Sequence, residues 1–270
     1  MFTSLLRPAL FVPTLALLAA CGHEAPPPAS PAPEPASAAS AEGFSPAIRA
    51  AVADADRSPE DRALDAGRKP AETLAFFGIA PGQSVAELGV GGGYTSELLA
   101  RVVGPTGKVY GQNSPMILEK FANVPWSARL AKPALKNVVR EDREFDDPLP
   151  AEVKDLDAVV IVLFYHDTVW MNVDRDKMNH AVFNALKPGG VYGIVDHAAA
   201  AGTGTNGVKT VHRIEEKVVI EEIERAGFKL AAEGNFLKNP SDTHDWNDSP
   251  KEAGARRGTS DRFVLKFVKP

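Results

Sequence analysis

The stretch VAELGVGGGYTSELLA, Val85 to Ala100, decides how the rest of the chain is read. Val85 to Leu88 is apolar apart from Glu87, glycines follow at 89, 91, 92 and 93, and Thr95 opens a helical pattern that runs on to Val103. A short buried strand, a turn without side chains and a helix, in that order, form the first unit of a parallel α/β sheet. Glycines at the turn let backbone approach a ligand closely. A dinucleotide fingerprint, G-x-G-x-x-G, counted from Gly89 requires a glycine where the chain has Tyr94. The register that fits is Glu87-x-Gly89-x-Gly91-x-Gly93, with an acid two residues before the first glycine.

Working outward, the pattern after Ser45 alternates strands and helices punctuated by Gly and Pro. Helices are expected over Pro46–Ala55 and Ala71–Phe77, the second opened by Pro70 and closed by Gly78. Strands are expected at Ser84–Leu88, Lys108–Gly111, Asn137–Arg140 and Ala158–Phe164. The last of these, AVVIVLF, is continuously apolar, as suits a central strand covered on both faces. Met178, Ala181, Val182, Ala185 and Leu186 make a helical stripe that Lys187-Pro188-Gly189-Gly190 stops. Val191–Val195, a helix near Glu215–Ala226, Phe228–Ala232 and Arg262–Val268 complete the series. The long loops Ala198–Val211 and Asn239–Ser260 separate these elements, and the stretch Asn239–Gly258 of the second reads as an ordered surface excursion or, alternatively, as a substrate lid.

The Glu87/glycine register resembles motif I of class I S-adenosylmethionine-dependent methyltransferases. Further stretches resemble, in order, a poorly characterised family of predicted bacterial methyltransferases: RALDAGRKPAETLAFFGIAPG, GKVYGQNSP, LFYHD, LKPGGVYGIVDHAA and HRIEEKVVIEEIERAGFKL. The resemblance covers roughly residues 63–270 and implies a three-layer Rossmann-like fold. Its seven-stranded sheet is mostly parallel, with an antiparallel last strand, in a domain spanning 45–270. It implies S-adenosylmethionine as cofactor, with Glu87 helping to position the methionine moiety and Gly89, Gly91 and Gly93 passing beneath it. The family's ribose-binding acid at the end of the second strand is missing, and Gln112 or Asn113 stands in its place. Asp142, after the third strand, aligns with the acid that contacts the adenine amino group, or is a surface acid in the run Glu141–Glu144.

Substrate-facing residues in this fold follow the fourth and fifth strands. His166 is the candidate general base, Asp167 its orienting partner or a base itself, and Tyr165 a neighbour of the transferred methyl group. The bland alternative has Tyr165 and His166 lining the pocket while Asp167 caps a helix. Trp170 offers an apolar wall or, alternatively, packs in the core. Asp196 and His197 open into the same crevice, and His212 and Arg213, at the start of a helix, either reach it, bind an anionic substrate or form a solvated helix start. Asp167, Asp196 and His197 are side-chain types that suit a divalent metal, but the expectation here is a hydrogen-bonded pair and no metal site. His180 lies off its helix's apolar stripe and is expected to be exposed.

The N-terminus tells a different story. Arg7 is the only charged side chain among the first twenty residues, and an apolar run reaches Leu18-Ala19-Ala20-Cys21, which resembles the lipobox of bacterial lipoproteins. The resemblance implies cleavage after residue 20, lipidation of Cys21 and attachment to a bilayer. The site would be the periplasmic face of the cell envelope, at the outer membrane in a Gram-negative cell. The alternatives are an ordinary secretory signal and an ineffective leader that leaves the protein cytoplasmic. From Gly22 to Gly43 the chain is nearly all Pro, Ala, Ser and Glu, an extended tether that cannot bury a core. Cys21 is the only cysteine of the 270 residues, which excludes an intrachain disulfide framework and a cysteine zinc site. A net charge of −5 without a basic cluster excludes a general nucleic-acid binder and leaves a small-molecule acceptor as partner. Two functions follow: a methyltransferase acting on a small molecule or envelope component, or a tethered, non-catalytic module that binds a nucleoside or S-adenosylhomocysteine.

Overall fold

The structure is a computed structural model that describes residues 43–270; the signal core, Cys21 and the tether up to residue 42 lie outside the described residues. Seven strands form one sheet: β1 (Ser84–Leu88), β2 (Lys108–Asn113), β3 (Val138–Asp142), β4 (Leu156–Val162), β5 (Leu186–His197), β6 (Lys229–Gly234) and β7 (Arg262–Val268). Their order across the sheet is β3-β2-β1-β4-β5-β7-β6. β1 to β5 pair in parallel, while β7 runs antiparallel to both β5 and β6. The fold expected from the sequence is thus the fold observed.

The chain reverses its direction of travel across the sheet between β1 and β4. It lays down β2 and β3 on one side of β1, then returns to add β4 on the other. That reversal opens a crevice at the carboxyl ends of β1 and β4, where parallel α/β sheets bind ligands. β4 is the spine of the core: Val159, Val160 and Ile161 are at most 1% exposed. Burial of side chains of this size contributes roughly 1.5–3 kcal/mol each relative to exposure. Pairing with β1 on one side and β5 on the other explains why this strand reads as an unbroken apolar run.

The helices are α1 (Pro46–Ala53), α2 (Pro59–Arg68), α3 (Pro70–Phe77), α4 (Tyr94–Val103), α5 (Pro115–Ile117), α6 (Asn123–Leu130), α7 (Asp167–Trp170), α8 (Arg175–Ala185), α9 (Val208–Val211) and α10 (Glu216–Arg225). A π turn, Leu118–Ala122, joins α5 to α6. The sequence reading missed α2 and the α5–α6 stretch, and both border the crevice. α2 carries start signals, with the Ser58 hydroxyl accepting from Asp61 N, Pro59 in the first turn and acids at 60 and 61. It lacks the apolar stripe that periodicity detects. Two strand boundaries also move. β4 stops at Val162 rather than Phe164, because Leu163 turns the chain with φ of 57°. β5 starts at Leu186, directly after α8, so Lys187–Gly190 ends the helix as expected but belongs to the strand.

Candidate functional site

A cavity of about 1210 Å³ occupies the crevice. Its floor is the glycine turn, Gly89 to Gly92, with Glu87 beneath; α2 covers one side, and Asp167, His197 and His212 stand on the other. Pockets for a single small ligand typically span about 300–1,000 Å³, so this one has room for a cofactor and an acceptor together.

The turn is held from below. Gly89 N and Val90 N donate to the Gln112 carbonyl at 3.0 Å, Gly89 N also reaches the Gln112 amide oxygen, and Gly91 N donates to Asn113 Oδ1 at 2.9 Å. Gly91 has φ of 56°, and a Cβ there would meet nothing within 4 Å, so the open side of this residue is the cavity itself. Gly93 differs. It precedes α4 with φ of 91°, and its Cβ would lie 2.6 Å from the Trp126 ring and from Arg129, so its missing side chain makes room for protein. Gly93 is absent from the cavity wall, which corrects its assignment as a residue beneath the cofactor.

Glu87 is 2% exposed and accepts a hydrogen bond from the Ser96 hydroxyl. Burial pushes its carboxyl up to about 7, against the lowering pull of Ser96 and Thr95 and, more weakly, of Arg68 and Arg129. Arg68 lines the cavity from the end of α2, its guanidinium 4.4 Å from the centre of the Tyr94 ring, and has no ion-pair partner among the described residues. Arg129 is committed: it pairs with Asp61 of α2 and Glu97 of α4 at 2.5 Å and donates to the Gly92 carbonyl at 2.6 Å. It fastens α2, α4 and the glycine turn to α6.

The amides at the end of β2 do not face the ligand. Gln112 and Asn113 are fully buried; Gln112 Nε2 donates to the Arg143 carbonyl, Asn113 Nδ2 to the Gly91 carbonyl, and their oxygens hold the turn. The expected ribose contact is thereby corrected, since both side chains spend their hydrogen bonds on the backbone. Asp142 is exposed, ion-paired with Arg140 at 2.7 Å, and not part of the cavity wall, so of its two readings the surface acid describes its position.

Across the crevice the sequence candidates separate. Tyr165 points into the core, where its hydroxyl donates to Glu222 of α10 and accepts from Asn179 of α8, so it does not border the cavity. His166 is fully buried behind the wall. Its Nδ1 lies 2.6 Å from Asp196 Oδ1, and Asp196 Oδ2 accepts from His166 N at 2.7 Å. Burial alone would lower the imidazole, but Asp196 and then Asp167 outweigh it and raise it to about 9. His166 stands behind the cavity wall rather than on it, so it is not placed to take a proton from an acceptor, which corrects that role. Asp196 is likewise interior rather than substrate-facing.

Asp167, Trp170, His197 and His212 do line the cavity. Asp167 Oδ1 accepts from Trp170 Nε1 at 2.6 Å, which fixes the carboxylate. His197 is pushed down to about 4, chiefly by burial, despite Asp248 Oδ2 at 2.5 Å from its Nδ1. His212 ends α9 rather than opening a helix, and φ of 59° turns it toward the crevice. Arg213 next to it is fully buried and paired with Asp242 at 2.7 Å, with Nη1 also donating to the Ala198 carbonyl; it is no anion receptor. Instead it staples the 239–260 loop to the end of β5. That loop is not a surface excursion, because Asp248, Pro250, Arg257 and Thr259 form part of the cavity wall. His180 is exposed, as expected.

No protein-family model matches the chain, and the comparison with curated proteins returns no match. Solved structures do match. A SAM-dependent methyltransferase from Aquifex aeolicus aligns with TM-score 0.55 at 18% identity over 78% of this chain and 97% of its own. A putative sarcosine dimethylglycine methyltransferase from Galdieria sulphuraria gives 0.56 at 16% identity, over 84% and 91%. The [4+2]-cyclase SpnF gives 0.52 at 14% identity, over 78% and 80%. The chain has the class I methyltransferase fold. At these identities the likeness is one of fold, and one of these three structures is named for a reaction other than methyl transfer.

Proposed function

We propose that the chain is an S-adenosylmethionine-dependent methyltransferase that acts on a small molecule or envelope component and is held at the cell envelope through lipidated Cys21. The observation that carries the enzymatic part is the placement of buried Glu87 and the open side of Gly91 on one wall of a cavity large enough for two occupants. The cofactor's methionine end brings an ammonium, which Glu87 accepts, and a carboxylate, for which unpaired Arg68 is the partner at the same end. When bound, the cofactor supplies the methyl group and its own leaving group. The protein contributes position and exclusion of water, with Asp167, His197 and His212 bordering the acceptor's end. The envelope assignment rests on Leu18–Cys21 and the Pro/Ala tether, and the wider resemblance to predicted bacterial methyltransferases on the motifs quoted above.

A second reading, a tethered module that binds S-adenosylhomocysteine or a nucleoside without turnover, draws on the commitment of Gln112 and Asn113 to the glycine turn, which leaves the ribose without its usual acceptor. Calorimetry of the full chain with S-adenosylmethionine and S-adenosylhomocysteine tests both. Micromolar binding is expected; no binding at millimolar ligand defeats the enzyme and the S-adenosylhomocysteine module, and no binding of adenosine either defeats the nucleoside module. Binding followed by transfer of labelled methyl to an acceptor panel selects the enzyme; binding with no transfer selects the module. Labelled palmitate on the wild-type chain but not on Cys21→Ser tests the anchor, and an unlabelled chain with Met1 retained refutes it.

A further inference from the structure

Three side chains at the acceptor end of the cavity converge in a way that methyl transfer does not require. His166, Asp167 and His212 each direct one donor atom into a common volume, with all three atoms within 4.8 Å of one another. Asp167 Oδ1 lies 3.4 Å from His166 Nε2 and 3.8 Å from His212 Nδ1. His166 Nε2 is fully buried and has no hydrogen-bond partner among the described residues. Leaving a buried polar atom unpaired costs roughly 1–3 kcal/mol, and such an atom calls for a ligand.

We propose that His166, Asp167 and His212 bind one divalent transition-metal ion, with the remaining coordination positions open to the cavity. Two imidazoles and one carboxylate are a donor set for zinc or another late first-row metal rather than for magnesium or calcium, which prefer all-oxygen shells. Ligands about 2.1 Å from a tetrahedral ion stand roughly 3.4 Å apart, close to the two separations to Asp167 Oδ1. His212 is the member that closes the set, since it ends a four-residue helix and is the most exposed of the three.

The surroundings are those of a metal site as well. Asp196 engages His166 Nδ1 at 2.6 Å, which orients the ring and leaves Nε2 to face the common point, the carboxylate–histidine arrangement that supports metal-binding imidazoles. The Trp170 indole donates to Asp167 Oδ1 at 2.6 Å and so fixes the carboxylate. Asp167 and His212 both line the cavity, so the open positions belong to water or to an oxygen donor of the second occupant. The site stands whether or not the cavity binds S-adenosylmethionine, and metal binding is measured without it.

The test uses the untagged full-length chain, stripped with chelator and titrated with Zn²⁺ and Co²⁺ by calorimetry and visible spectroscopy. One equivalent per chain is expected, with the ligand-field bands of four- or five-coordinate Co²⁺. His212→Ala should weaken Zn²⁺ binding at least tenfold and erase those bands, and Asp196→Asn should weaken it about 10–100-fold through the orientation of His166. His180→Ala, on an exposed helix face, should bind as the wild type does. His166→Gln tests the buried ligand directly. If that variant does not fold, the partly exposed His212 and the wild-type Co²⁺ spectrum carry the test. No stoichiometric binding at about hundred-micromolar metal, or unchanged affinity in His212→Ala, overturns the proposal.

Discussion

If Glu87 receives the cofactor's ammonium, cofactor affinity must follow the ionisation of that one carboxyl. With its value raised to about 7, Glu87 is about 3% ionised at pH 5.5 and half ionised at pH 7. A ligand that binds only the carboxylate therefore gains on the order of tenfold in affinity across that interval. The interval stays below the range of about 7.7–8.0 in which a free α-amino group loses its proton, so the ligand's charge is constant. Calorimetry of S-adenosylhomocysteine binding at half-unit pH steps reads the slope. Glu87→Gln should bind more weakly at pH 7 and show a flat profile. The same shift acts on the unliganded fold with the opposite benefit. Below about pH 4.5 the carboxyl is protonated folded or unfolded, and between there and about 7 only the folded chain keeps the proton. The stabilising contribution is thus fully present below the unfolded value and lost as pH rises through about 7, by on the order of 3 kcal/mol. Affinity that is flat or falls from pH 5.5 to 7 in the wild type, or a slope that survives in Glu87→Gln, refutes the assignment.

Gly91→Val should abolish cofactor binding while lowering the midpoint of denaturation only by the cost of a left-handed residue, about 1–2 kcal/mol, whereas Gly93→Val should destabilise the fold by several kcal/mol because its Cβ meets Trp126; equal behaviour of the two variants in calorimetry and urea unfolding contradicts this division. Arg68→Gln should weaken S-adenosylhomocysteine about tenfold or more and leave adenosine, which has no carboxylate, unaffected; equal losses for both ligands would indicate that α2 has shifted instead. Tyr165→Phe should leave methyl transfer intact and cost about 1–2 kcal/mol of stability through the lost bonds to Glu222 and Asn179, and a loss of turnover without a loss of stability returns Tyr165 to the site. Arg213→Met leaves buried Asp242 without its cation and should cost about 3–5 kcal/mol or loosen the 239–260 loop to proteolysis; an unchanged protease pattern and midpoint would mean that the staple is idle.

The parts of this molecule that could be read from sequence are those whose physics is local. The glycine turn announces itself because strand, side-chain-free turn and helix are contiguous, and β4 because its stretch from Ala158 on, covered on both faces, has no polar positions. What escaped reading depends on direction in space. Gln112 and Asn113 occupy the expected strand end, but only the folded turn shows that Gly91 N and the Gly91 carbonyl take up both ends of Asn113. Tyr165 and His166 follow a positive-φ Leu163, and that twist sends the first into the core between α8 and α10 and the second behind the wall. The role of the 239–260 loop rests on Arg213, some 29 residues before its partner Asp242, and no periodicity reports such a pair.

The amide clamp under the turn also bears on which ligands the cavity refuses. A glycine turn that cradles phosphate presents its N–H groups to the ligand. Here the N–H groups of Gly89, Val90 and Gly91 are drawn down to Gln112 and Asn113, and that of Gly93 closes onto the Val90 carbonyl. A pyrophosphate over this turn would meet few free donors and, just beneath, a carboxyl that becomes an anion near neutral pH. A ligand with an ammonium at that point pays no such penalty and restores Glu87 to its charged form. The two amides that deprive the ribose of its acceptor are therefore the same groups that bias the turn against dinucleotides. The cavity should accordingly discriminate at its cationic end more sharply than at its sugar. Competition against bound S-adenosylhomocysteine measures this directly: methionine-bearing nucleosides with an altered ribose should still displace it, and NAD or ATP at millimolar concentration should not. Displacement by ATP as effective as by a ribose-modified methionine nucleoside would mean that the turn presents donors upward after all, and that Glu87 is not what selects the ligand.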